Sequence, residues 1–178
     1  KEAHCRRVVE RVVRKFGGLD VLVNNHAMQF PIEAPEELTP QQIRTTFETN
    51  LFGVITVTQA FLPLLHRSPS ARIVNVSSVL GSIALHNDPT SPIYDFKIPA
   101  YNVSKTALNA WTIQLAYELR DSRIKINTIH PGYVKTDMNA GEGELEVADG
   151  ARTSVAMALI ADDGPNATFT HAGQVLPW

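Results

Sequence analysis

Cysteine is almost missing from this chain: Cys5 is the only one in 178 residues. No disulfide can close within the chain, and the compartment expected from that is a reducing cytoplasm. No uninterrupted apolar run is long enough to cross a bilayer, so no membrane partner is expected. Excess positive charge is lacking too, the formal net charge being −2, and the chain offers no basic field to nucleic acid. Arg6, Arg7, Arg11, Arg14 and Lys15 gather on the first helical segment, where they read as its solvated face. The six histidines fall in no metal-ligand spacing; His130 stands just before Pro131-Gly132 and reads as a strand-end residue, and no metal is expected. Internal repeats and low-complexity tracts are absent.

What is present is an ordinary apolar fraction, 44%, in a length that suits one domain, residues 1–178, with a sizeable core. Asp20-Val21-Leu22-Val23-Asn24-Asn25, Arg72-Ile73-Val74-Asn75-Val76-Ser77-Ser78 and Ile124 to Ile129 are short apolar runs, each stopping at polar or turn-forming residues. Amphipathic helical patterns precede, separate and follow them: Lys1 to Phe16 with Gly17 and Gly18 as its C-cap, Thr39 to Leu65, Pro99 to Arg120, and Ala148 to Ile160. The order argues for right-handed βαβ crossovers, hence an α/β, doubly wound, Rossmann-like parallel sheet. Gly173 to Trp178 reads as a short final strand at the far edge. Asn139 to Gly150, rich in Gly and Glu, is the stretch expected to be mobile.

Tyr101 and Lys105, four apart in Ala100-Tyr101-Asn102-Val103-Ser104-Lys105, project from one helix face. A cation beside a phenol lowers its pKa toward the range where proton transfer is efficient, which makes Tyr101 a candidate acid–base. Tyr94 meets Ile98 at the same offset and Tyr133 meets Asp137. Val103, Leu108, Trp111, Leu115 and Leu119 are available for packing. Asn75-Val76-Ser77, Asn102-Val103-Ser104 and Asn166-Ala167-Thr168 match the N-glycosylation pattern by coincidence, two of them on elements expected to be buried.

Asn24-Asn25, Asn50 in Thr49-Asn50-Leu51-Phe52-Gly53, Val76-Ser77-Ser78, Tyr101-x-x-x-Lys105 and Pro131-Gly132 with Thr136, in that order, resemble a short-chain dehydrogenase/reductase of the carbonyl reductase-like kind. The resemblance covers nearly the whole chain. It implies an oxidoreductase that moves a hydride between NADP or NAD and a carbonyl or alcohol substrate. It also implies that Ser78 bonds the substrate oxygen, that Tyr101 exchanges a proton with it, and that Lys105 holds the nicotinamide ribose while lowering the Tyr101 pKa. Asn50, in a helix begun by the capping sequence Thr39-Pro40-Gln41-Gln42, would position a proton-relaying water. Asn24, Asn25, His26, Ala27, Pro131, Gly132, Val134 and Thr136, together with Tyr101 and Lys105, would line the cofactor. The helices Thr39 to Leu65 and Pro99 to Arg120 would pair across a two-fold axis in a homodimer or homotetramer.

Three departures stand out. No Gly-x-x-x-Gly-x-Gly turn precedes the Asp20 strand, and the chain starts at Lys1 inside a helix, so it corresponds to the family fold without its first three strands. The Val21 to Val23 strand would then be an unpaired edge. His26-Ala27 replaces the family's Ala-Gly, so His26 either crowds the ribose or turns into a neighbouring pocket. The segment from Ser78 to Tyr101 is longer than usual, and its Asn87-Asp88-Pro89-Thr90-Ser91-Pro92 stretch reads as a loop insertion at the substrate mouth. The competing readings are a truncated, non-catalytic remnant that serves as a dimerisation partner, and a dehydration or epimerisation run on the same Tyr and Lys.

Overall fold

Apolar runs between polar stops become parallel strands here, with the strand Arg72–Val76 buried along its whole length at the centre of the helical layers. The computed structural model describes residues 2–30 and 34–178, so Lys1, where the first helix was expected to start, lies outside the described residues. The elements in chain order are α1 (Glu2–Phe16), β1 (Val21–Asn24), α2 (Pro40–Phe47), a π-helical turn (Glu48–Gly53), α3 (Val54–Leu65), β2 (Arg72–Val76), a 3₁₀ turn (Val79–Gly81), α4 (Ile83–Asn87), α5 (Pro99–Glu118), β3 (Lys125–Ile129), a 3₁₀ turn (Asp137–Asn139), α6 (Val147–Ala158), β4 (Phe169–His171) and β5 (Gln174–Val175). The strands form one sheet in the order β1-β2-β3-β4-β5. All neighbours are parallel except β4 and β5. The fold is α/β and Rossmann-like.

The sheet's alternation sends Leu22, Ile73 and Ile126 to one face, where they pack with Phe61, Leu64 and Leu65 of α3 and Leu115 and Ala116 of α5. On the other face Val74, Val76 and Ile129 meet Met157 of α6. Leu108, Leu115 and Leu119 are buried as the periodicity predicts, but Val103 is 55% exposed. The covered side of α5 runs instead through Tyr101, Lys105, Leu108 and Thr112, so polar residues occupy apolar-looking positions and Val103 falls on the opposite side.

Local signals act as their chemistry requires. Thr39 closes a capping box with Gln42, and Pro40 takes the first helical turn. Gly17 ends α1 with φ +80°. The expected final strand at the far edge is β5, but it is reached through β4, unannounced in the sequence: β4 joins β3, and a two-residue turn at Ala172 (φ 47°) and Gly173 (φ 81°) reverses the chain into β5. Positive φ at both central residues suits a tight hairpin, which is why the closing element is antiparallel.

Candidate active site

The residues expected at the site collect along the carboxyl ends of β1, β2 and β3, the edge where open α/β sheets hold ligands. Strand β2 passes into Ser77 and Ser78. Ser77 is drawn toward the body of the protein, its N–H donating to Ile129 O at 2.8 Å and its hydroxyl to Lys105 O at 3.4 Å. Ser78, still extended at φ −156°, accepts from Leu80 N at 3.2 Å and starts the 3₁₀ turn. That turn can lie against α5 only because residue 81 is glycine: a Cβ there would stand 2.9 Å from the Lys105 carbonyl carbon.

Helix α5 brings Tyr101 and Lys105 to the same place. Lys105 is 1% exposed; its ammonium donates to Val76 O at 2.8 Å and lies 5.6 Å from the Tyr101 ring centroid. Burial pulls its pKa down to about 8, which still leaves it charged at neutral pH. Burial also pushes Tyr101 up to about 12, with the Ser78 side chain beside it pulling the other way. The expectation that Lys105 would depress the phenol is therefore corrected: loss of water outweighs the hydrogen bond to Ser78, and Tyr101 is a protonated phenol at neutral pH.

Asn50 sits fully buried in the π-helical turn. Its Oδ1 accepts from Met28 N at 2.7 Å, and its Nδ2 donates to Met28 O and Ser104 Oγ, both at 2.9 Å. Ser104 in turn donates to Tyr101 O at 2.7 Å. Both amide protons are thus spent, and the side chain clamps the segment after β1 onto the helix that carries Tyr101 and Lys105. A π turn shifts the helical register by a residue, which is how a helix aims one amide at two elements.

Asn24 is likewise internal, its Nδ2 donating to Thr58 Oγ1 at 2.9 Å and to Asn75 Oδ1 at 2.8 Å. Asn75 continues the chain to Thr112 Oγ1 at 2.8 Å, so a row of amides and hydroxyls ties α3, β1, β2 and α5 together across the sheet. The Asn24 side chain works as a brace. Asn25 is exposed and Ala27 half-buried. His26 turns toward the π turn: a Cβ on Gly53 would stand 2.9 Å from its Nε2. Burial and the Lys105 charge hold its pKa down, opposed by a hydrogen bond to the Thr49 backbone.

After β3, Gly132 bends at φ +92°, and a Cβ there would meet Leu145 Cδ1 at 2.5 Å. Val134 bridges to Leu145 and fills the space that a side chain at Gly150 would need. Thr136, exposed, forms a capping box with Asn139. The stretch expected to be mobile folds back on this segment, Lys135 N donating to Leu145 O at 2.9 Å and Asn139 Nδ2 to Val134 O at 2.9 Å, with Lys135 paired to Glu146. His130 and His171 meet at a tilt of 45° with ring centroids 4.8 Å apart; burial first, then the second ring, pushes His130 down to about 4, so it is neutral.

Sequence reasoning missed Asn75, Ser104 and Thr112, whose roles depend on partners far away in the chain. It also missed His86, which joins the long segment after Ser78 to the start of α5. A histidine at the end of a four-to-five-residue helix flanked by turn residues was the only signal.

A mostly parallel, Rossmann-like sheet thus gathers a serine, a tyrosine and a buried lysine along its carboxyl edge. A family model described as short chain dehydrogenase matches residues 1–146, and the chain belongs to that family. Short-chain dehydrogenase anuI of Penicillium roqueforti is 38% identical over 152 residues, 83% of this chain and 60% of that protein. Carbonyl reductase (NADPH) 3 of Rattus norvegicus is 32% identical over 198 residues, 92% of this chain and 69% of that protein. Among solved structures, carbonyl reductase Sniffer of D. melanogaster superposes with a TM-score of 0.84 at 30% identity, over 100% of this chain and 75% of that one. The NADPH-bound carbonyl reductase from chicken fatty liver gives 0.86 at 25% identity, over 100% and 74%. The chain therefore spans three fifths of the Penicillium relative's length and about three quarters of these two structures.

Proposed function

We propose that this chain carries the reaction centre of an NADP(H)-dependent oxidoreductase that interconverts a carbonyl and an alcohol. The observation behind the reading is the meeting of Ser78, Tyr101 and Lys105 at the carboxyl edge of the sheet. The donor set fits a nicotinamide nucleotide: Val76 O takes one of the three Lys105 protons, which leaves two for ribose hydroxyls. Gly132, Asn25 and Thr136 stand along the same edge. When bound, the nucleotide supplies or accepts the hydride.

The chain's own groups do the rest. Ser78 Oγ hydrogen-bonds the substrate oxygen, and Tyr101, protonated at neutral pH, gives up its phenolic proton as negative charge gathers on that oxygen. Lys105 fixes the ribose and keeps a positive charge beside the phenol. Asn50 holds Tyr101 and Lys105 in register with the segment after β1. NADP(H) is preferred to NAD(H) because NADPH stands in the names of the rat and chicken relatives.

A second reading, in which the chain pairs with a copy of itself, is favoured by apolar side chains left bare on the π-helical turn and on α5: Phe52, Val103 and Tyr117 are all exposed.

Titrating the purified chain with NADPH and then NADH by nicotinamide fluorescence, followed by a carbonyl screen, tests the proposal. The expected result is saturable binding of NADPH and carbonyl-dependent oxidation. Tyr101→Phe should keep the circular dichroism spectrum and the binding while losing at least ~100-fold in turnover. Survival of activity in Tyr101→Phe overturns its role, and a folded chain that binds neither nucleotide overturns the reading for this chain.

A further inference from the structure

His86 is a meeting point of three elements that flank Ser78 and Tyr101. Its Nε2 lies 3.0 Å from Leu80 O, two residues beyond Ser78. That contact fixes Nε2 as the protonated nitrogen, so Nδ1 keeps its lone pair and accepts from Lys97 Nζ at 3.2 Å. Lys97 also donates to His86 O at 3.2 Å and lies 4.8 Å from the centroid of the Tyr94 ring. On the third side is Asn102, the neighbour of Tyr101: its Nδ2 donates to Phe96 O at 3.0 Å and lies 3.2 Å from His86 Nε2, which in this tautomer is a donor and does not accept from it.

We propose that His86 is a positioning residue which, as the neutral imidazole, latches segment 88–98 onto the start of α5 beside Tyr101 and, once protonated, lets that segment go. Protonation removes the Nδ1 lone pair and sets an imidazolium against an ammonium at 3.2 Å. The two cations separate, and Lys97 takes with it its bonds to His86 and its place over Tyr94. Lys97 is the charged side chain that faces His86 among the described residues. The carboxylates of the segment are Asp88 and Asp95, and Asp88 is held by the Thr90 N–H at 2.9 Å and the Thr90 hydroxyl at 2.8 Å.

The sign follows from the same contacts. Burial and Lys97 hold the His86 pKa below its ordinary 6.5, opposed by the bond to Leu80. The unfastened segment therefore binds protons more readily than the fastened one. The latch is closed above 6.5 and opens as pH falls through the lower, folded value. The consequence for turnover rests on the oxidoreductase reading; the latch itself does not.

Hydrogen exchange of the full 178-residue chain between pH 5 and 8, corrected for intrinsic rates, reads the latch directly. Amides of 88–98, such as Tyr94 N–H on Ser91 O and Phe96 N–H on Ile93 O, should lose about tenfold in protection below pH 6.5 while those of α5 beyond Thr106 hold theirs. His86→Gln can donate to Leu80 O and accept from Lys97 without titrating, so it should keep protection at every pH. Lys97→Met should be weakly protected throughout, with no pH step. No step in the parent, or an undiminished step in His86→Gln, overturns the proposal. Tyr101→Phe should retain the step, so a failed latch is distinguishable from a failed assignment of the reaction.

Discussion

An ammonium shut between β2 and α5 is costly, and Lys105 is kept there with the carbonyl of Val76 as its partner. Its folded pKa of about 8 lies below the ordinary 10.5. Between those values the unfolded chain binds more protons than the folded one, so stability rises with pH across that window; below it both forms are charged and the penalty is constant. Lys105→Met, of similar length and without the charge, should therefore unfold later in urea at pH 7, by about 1–2 kcal/mol after the loss to Val76 O is counted. The variant should also lack the rise in stability between pH 8 and 10.5. An unchanged or lower midpoint would show that Lys105 supports the fold rather than straining it. The four-residue spacing of Tyr101 and Lys105 was legible in the chain. The direction of the Tyr101 shift was not, because burial sets it and burial depends on how the 3₁₀ turn at Gly81 closes over α5. Asn24 and Asn50 were likewise visible as residues but not as a brace and a clamp, since their partners Asn75 and Ser104 stand 51 and 54 residues away.

At the scale of elements, the π-helical turn does what a regular helix from Thr39 to Leu65 could not. It places Asn50 against Met28 and Ser104 and leaves Gly53 facing His26. Helical periodicity predicts the whole stretch correctly as helix, yet one residue of extra winding leaves no mark in the pattern. The cost of that geometry is the close contact at Gly53, where a Cβ would lie 2.9 Å from His26 Nε2 and 3.3 Å from Glu48 O. Gly53→Ala should destabilise the chain by about 1–2 kcal/mol, the overpacking outweighing the better helix propensity of alanine. The same substitution in a His26→Ala background should cost well under half of that, because the ring is gone and only the Glu48 contact remains. A double-mutant cycle in urea measures the difference, and additivity would mean that His26 does not press on the turn.

For the molecule as a whole, the described strands end in β1 on one side and in β5 on the other. The far side ends in the β4–β5 hairpin, a short antiparallel cap that exposes little edge. On the near side β1 has no strand beyond it among the described residues, and Val23 is 41% exposed on a face that α6 only partly covers. The parallel sheet was readable because buried strands are continuous apolar runs with polar stops. A short apolar edge with its N–H and C=O groups free is a template for another chain. At concentrations of tens of micromolar the parent should form species beyond the dimer expected from the long helices, growing with concentration in sedimentation velocity. Val23→Lys places a charge on that edge without touching the residues of the sheet core behind it, and should remove the larger species while leaving the dimer. If the two proteins sediment alike, higher association runs through another surface, and the β1 edge is held closed by the chain itself.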